Sequence, residues 1–183
     1  MNVKAAGLGE VEVMSSLAYT LRVVALSIMF GGSVSVIFCA MALISSAHQH
    51  GVATADAAAA NAPMFTMFSI VLMFWAFVLL VGEALSYAAQ RKLTLSTKAR
   101  FASSLLCVAA AMVLKFGIIP QMEQITLKPD DQKAHAAFKK LHSVSRADFM
   151  VIIVTALVSL LIPGFESSRK DPAPKPEETP AVS

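Results

Sequence analysis

Four long apolar blocks, separated by polar or proline-marked breaks, constrain this chain more than any other feature. They run over residues 23–44, 64–87, 99–119 and 146–162. A bilayer's hydrocarbon core is about 30 Å thick and a helix rises about 1.5 Å per residue, so a span needs about 20 apolar residues. Each block reaches or approaches that length, and in lipid only helices or closed barrels satisfy their own backbone polar groups. The expected fold is all-α: an integral membrane four-helix bundle with the last transmembrane helix extended beyond the bilayer. With 56% of 183 residues hydrophobic, 15% charged and a mean hydropathy of +0.66, the composition excludes an ordinary soluble domain.

Around this domain, residues 20–163, lie an N-terminal leader, 1–19, and a tail, 164–183, rich in Pro, Glu and Lys. The tail has too little apolar surface to fold and is expected to be disordered. The first apolar block ends in Ala40-Met41-Ala42, which resembles a signal-peptidase site, but its length exceeds a signal core of about 7 to 15 residues, so it reads as a membrane helix. It contains Gly31-Gly32 and a small-residue stripe, Ala25, Gly32 and Cys39, that suits close helix packing. Cys39 and Cys107 lie at depths differing by about 10 Å on these boundaries, so they read as buried packing residues and not as a disulfide.

Few charges interrupt the blocks. Glu83, a turn from the end of the second helix, can reach headgroups or pair with Arg22, Arg91 or Arg100. Lys115 and Asp148, at matching levels of the third and fourth helices, are expected to form an interfacial ion pair. The third helix is expected to stop at Pro120. No ionisable residue falls near the midplane of any block, which argues against a proton relay, a voltage sensor or a charged ion path.

The segment from Pro129 to Pro163 holds the most functional information. Pro129-Asp130-Asp131 is a helix-start signature, and no Gly or Pro follows until Pro163. One helix over this span is about 50 Å long, so its first part stands outside the bilayer. That part carries the stripe His135, Phe138, His142, Ser145 and Phe149, at spacings of three and four, which normally packs on something. The candidates are the first loop, the tops of the other helices, or a partner.

Basic residues set the orientation. The leader with Arg22, the second loop with Arg100 and the tail carry 2, 4 and 3 Lys or Arg, whereas the first loop carries none and the third, with Arg146, five. The positive-inside rule then puts both termini in the cytoplasm. With four spans, His48, His50, His135 and His142 share the outer face whichever way the chain inserts. Imidazole suits zinc or copper, which makes these four a candidate metal site. His135 and His142 are seven residues apart, or roughly 10 Å, so they cannot hold one ion without help from His48 or His50. The other reading is of solvated or singly bonded interfacial histidines. A basic-aromatic module is lacking, so no nucleic-acid partner is expected.

Phe138-Lys139-Lys140-Leu141-His142 with Val144-Ser145 resembles the Phe-x-x-Leu-His-x-x-Ser element that precedes the last helix in four-helix membrane proteins of unknown function related to transmembrane protein 205. Ile118-Ile119-Pro120 is similar to the proline that ends that family's third helix, and Gly31-Gly32 to a glycine pair in its first. The resemblance implies a four-helix fold and little mechanism. The expected function is a non-enzymatic accessory or stress-related component, in a bacterial inner membrane, whose outer-face helix docks a partner or caps the bundle. In that reading Phe138, Leu141 and His142 fix the extension, and the partners are the lipid bilayer and a membrane protein or a second copy of the chain. The alternative is a transporter or resistance protein handling copper or zinc. An enzyme is the weakest reading, since no nucleophile-base pair or carboxylate constellation is visible.

Overall fold

The computed structural model describes residues 3–52, 54–90, 94–125 and 131–170. Among them no strand occurs. The elements are α1 (Val3–Gln49), α2 (Thr54–Ala89), α3 (Leu95–Met112), a π-helical segment (Val113–Ile118), α4 (Ile119–Glu123) and α5 (Gln132–Lys170). Val13–Gln49, Ala60–Ala89, Leu95–Glu123 and Gln132–Pro163 are each long and apolar enough to cross a bilayer. The chain is thus the all-α bundle of four long apolar helices that the blocks imply.

Side-chain contacts fix the topology as up-down-up-down. Arg22, early in α1, meets Glu83, late in α2. Glu83 meets Arg100, early in α3, and Ser104 of α3 meets Ser159, late in α5. At the opposite end Thr66 of α2 donates to Glu123 of α4. The breaks follow local chemistry. Gly51 turns the chain at φ +73°, a backbone conformation that costs glycine little. Thr94 Oγ1 accepts the Thr97 N–H at the start of α3, and Asp131 Oδ1 accepts the Ala134 N–H at the start of α5. Asp131 is the described part of the predicted start signature; Pro129 and Asp130 lie outside the described residues.

The helices overrun the apolar blocks. The leader is helical from Val3 and continuous with the first span, because no proline precedes Pro63 to stop it. Pro63 and Pro163 lie inside α2 and α5 and do not bound them. Within apolar bundles the freed carbonyl can be satisfied by neighbours or local adjustment. Helical structure extends to Lys170, so the first residues of the expected tail continue α5; residues 171–183 lie outside the described residues. Nor does Pro120 end the third helix. The turn before it widens, with the Ile119 N–H bonded to Leu114 O, five residues back. That extra room relieves the clash between the proline ring and the carbonyl four residues earlier.

The core is built from Leu26, Met29, Leu72, Leu79, Leu114 and Ile152, all fully buried. Phe149 sits edge-on to Phe65 and stacks on Phe68, with ring centroids 5.9 and 6.2 Å apart. Large side chains also cover the outside: Phe38, Phe74, Phe77 and Phe116 face outward while Ser33, Ser69, Ser104 and Ser159 are buried. Lipid is as apolar as leucine, so packing and hydrogen bonding, not hydrophobicity, decide which face turns inward.

This corrects the expected packing stripe. Ala25 is buried, but Cys39 faces outward, and a Cβ on Gly31 would meet nothing within 4 Å. Gly32 does fit against α2, where a Cβ would lie 2.9 Å from Phe68 Cε2. At Gly82 a Cβ would stand 3.2 Å from Arg22 N and 3.3 Å from Ala18 O, so α2 runs close against the α1 backbone there. Gly82 and Gly32, but not Gly31, thus lie where α1 and α2 meet.

Candidate functional site

The bundle's densest polar chemistry lies where Gly82 lets α1 and α2 close. Glu83 is 1% exposed, Arg22 3% and Arg100 12%. Arg22 Nε lies 3.1 Å from Glu83 Oε1, and Arg100 Nη2 lies 3.3 Å from Oε2. Arg100 Nη2 also donates to Ser86 Oγ at 3.0 Å, and Ser104 Oγ donates to Glu83 Oε1 at 2.7 Å. Ser104 reaches Ser159 Oγ, which in turn donates to the Arg100 carbonyl. One carboxylate therefore gathers groups from all four long helices. Of the three partners the sequence offered Glu83, Arg22 and Arg100 take it and exclude it from solvent; Arg91 lies outside the described residues.

The network's charges do not balance. Two guanidiniums share one carboxylate, and both Nε atoms are buried without an aligned acceptor. A cleft of about 40 Å³ opens beside it, lined by Glu83, Tyr87, Thr97, Lys98, Arg100 and Phe101. Known small-molecule sites are several hundred Å³, so this cleft admits no more than a small group. Ser104 donates to a carboxylate that already meets two arginines.

The four histidines occupy the other end, as the topology requires, but they do not converge. His48 and His50 are exposed where α1 ends, with His50 Nδ1 2.8 Å from the Ser46 carbonyl. His135 is half-buried and His142 exposed. Among the described residues no group of three or more His, Cys, Asp or Glu could hold a metal ion. The expected amphipathic stripe holds at His135, Phe138, Ser145 and Phe149 and departs at one position. Its inward side is His135, Phe138, Leu141, Ser145 and Phe149, with Leu141 in the place given to His142. His142 turns outward, its ring parallel to Phe138 with centroids 6.1 Å apart.

Lys115 and Asp148 do not form the expected ion pair. Both ion pairs among the described residues are made by Glu83, and Asp148 Oδ2 is buried without a hydrogen-bond partner. Lys115 falls in the π-helical segment, whose wider turn gives it a different azimuth from that of a straight α-helix.

Sequence reasoning did not find Gly82, Ser86, Ser104 or Ser159. The available signal was the register of Glu83, Ser86 and Gln90 on α2 against Arg100 and Ser104 on α3, polar residues three or four apart in otherwise apolar helices. Compared with family models, curated proteins and solved structures, the chain matches none.

Proposed function

We propose that this chain is a non-enzymatic accessory protein of a bacterial inner membrane, with cytoplasmic termini, whose α5 extension caps the bundle's outer end and presents its opposite face to a partner. The observation that carries the reading is the two-sidedness of that extension. At 39 residues α5 is about 58 Å long, well beyond a hydrocarbon core of about 30 Å. One side, with Phe138, Leu141 and Ser145, turns toward the bundle, while Ala136, Ala137, Lys140, Ser143 and Val144 remain exposed. The orientation is supported by Arg22, Lys98 and Arg100 gathering at the end that holds the α2–α3 connection. The non-enzymatic reading is supported by the commitment of Glu83, Arg100 and Ser104 to one another. The likeness of residues 138–145 to the transmembrane protein 205 element belongs to the same proposal, since that stretch joins cap to anchor.

Two measurements test it. Phe138→Asp places a charge on the inward side, so its detergent-solubilised form should melt well below the parent chain, while the exposed Lys139→Ala should stay within about 0.5 kcal/mol. A photo-crosslinker at residue 140 or 144 should give a discrete heavier product in membranes that one at outward-facing residue 77 does not. Equal melting of the two variants removes the cap, and identical crosslinking patterns remove the partner.

A further inference from the structure

We infer, on the cap-and-partner reading above, that what docks on the α5 extension is an acidic helix of another protein, seated between two basic rows on the exposed face. Residues 132–147 carry Lys133, Lys139, Lys140 and Arg146 and no Asp or Glu. All four are exposed, and none meets a carboxylate among the described residues, where Glu83 makes both ion pairs. Successive helical residues turn by about 100°, and a residue seven further on returns to within about 20°. Lys133 and Lys140 therefore line one flank of the exposed face, and Lys139 and Arg146 the other. Between the flanks lie Ala136 and Ser143, also seven apart and also exposed. Side chains this small let a second helix approach closely, while the long basic side chains reach around it on both sides. In a coiled-coil seam, flanking charges of this kind choose the partner.

Charge and extent select the occupant. A second copy of the chain would set this basic face against itself, and like charges brought together across an interface repel. Anionic headgroups match only part of it. From Lys133 to Arg146 the bases spread along about 20 Å of helix, whereas a headgroup layer is about 5–8 Å thick. A helix that binds a membrane surface also buries large apolar side chains in it. Here Phe138, Leu141 and Phe149 turn toward the bundle, and the exposed face offers no apolar side chain larger than Val144. Glutamates or aspartates at heptad spacing on both flanks of a partner helix meet both rows.

The test titrates the full chain, in an uncharged detergent, with three stapled synthetic helices read by fluorescence anisotropy. They share an alanine seam and carry glutamate, glutamine or lysine on both flanks. The glutamate helix should bind at least about tenfold more tightly than the glutamine helix, the ratio that a few exposed ion pairs give together, and high salt should remove the difference. The lysine helix should bind weakest. Replacing Lys133, Lys139, Lys140 and Arg146 together by glutamine should abolish the preference, and Lys98→Gln, at the other end of the bundle, should leave it. Ser143→Trp keeps every charge but fills the seam, and should weaken the glutamate helix at least about fivefold, which diffuse attraction would not. Each of these positions is exposed, so the variants should fold as the parent does. Equal binding of the glutamate and glutamine helices, or a glutamate preference untouched by the fourfold replacement or by Ser143→Trp, overturns the site. Selective retention of phosphatidylglycerol over phosphatidylcholine that the fourfold replacement abolishes, with no glutamate preference, assigns the face to lipid and overturns it too. Crosslinking from residue 144 in membranes keeps the two readings apart: a heavier product that survives the fourfold replacement keeps the partner and removes its acidity, whereas no product from the parent chain removes the partner itself.

Discussion

Replacing Glu83 by glutamine keeps the side chain's shape and removes its charge, leaving Arg22 and Arg100 facing each other without a carboxylate. The glutamine oxygen can still accept from Ser104 or Arg100, but its amide nitrogen presents donors to a guanidinium. Breaking a buried ion pair by removing one partner costs about 3–5 kcal/mol. Arg100 is 12% exposed, so the lower end, about 3 kcal/mol, is the value expected here. For a chain of this size each kcal/mol shifts the melting temperature by about 2–4 °C, so the variant should melt about 6–12 °C below the parent. Fluorescence-detected size exclusion after heating in mild detergent reads that shift. Glu83→Asp, one methylene shorter, should fall between the two because it cannot span both arginines. Leucine at positions 22, 83 and 100 together should recover most of the loss, since well-packed apolar residues commonly replace a buried ion triad at little cost. A melting temperature for Glu83→Gln within about 2 °C of the parent would refute the view that this carboxylate holds the four helices together.

Gly82→Ala should destabilise the bundle by about 1–3 kcal/mol, the usual cost of overpacking, because its Cβ meets α1 backbone at 3.2 Å, whereas Gly31→Ala, with nothing within 4 Å, should be near neutral or slightly stabilising in the same melting assay. A thiol-reactive fluorophore small enough to enter the detergent micelle should label Cys39 in the folded chain and Cys107 only on unfolding, since the first faces outward and the second is buried; immediate labelling of both would contradict the packing of α3. Replacing His48, His50, His135 and His142 together should leave copper and zinc retention unchanged in a metal titration, because the described histidines are not gathered around a common point.

How much of the site was legible varies with the kind of signal. Glu83 could be singled out because a carboxylate in an apolar helix is conspicuous, and its partners could be narrowed to three because few cations lie at that level. Gly82 could not, since a glycine in a membrane helix looks the same whether it faces a neighbouring backbone or lipid. The stripe on α5 keeps its expected positions except one: spacings of three and four allow either Leu141 or His142 on the inward face, and only docking against the bundle chose Leu141. Lys115 and Asp148 were matched by depth, yet depth does not give azimuth, and the wide turn before Pro120 changed it.

The sequence by itself determined that four helices long and apolar enough for a bilayer would form, that they would alternate in direction, and that all four histidines would share one end. Those follow from block length and the count of crossings, which need no knowledge of neighbours. The tertiary structure alone decided which face of each helix is inside. In water, burial of apolar residues would have announced that choice as a periodic pattern; in lipid both faces are apolar, and the interior is marked instead by Arg22, Glu83, Arg100 and a few serines whose hydrogen bonds can be completed only by other helices.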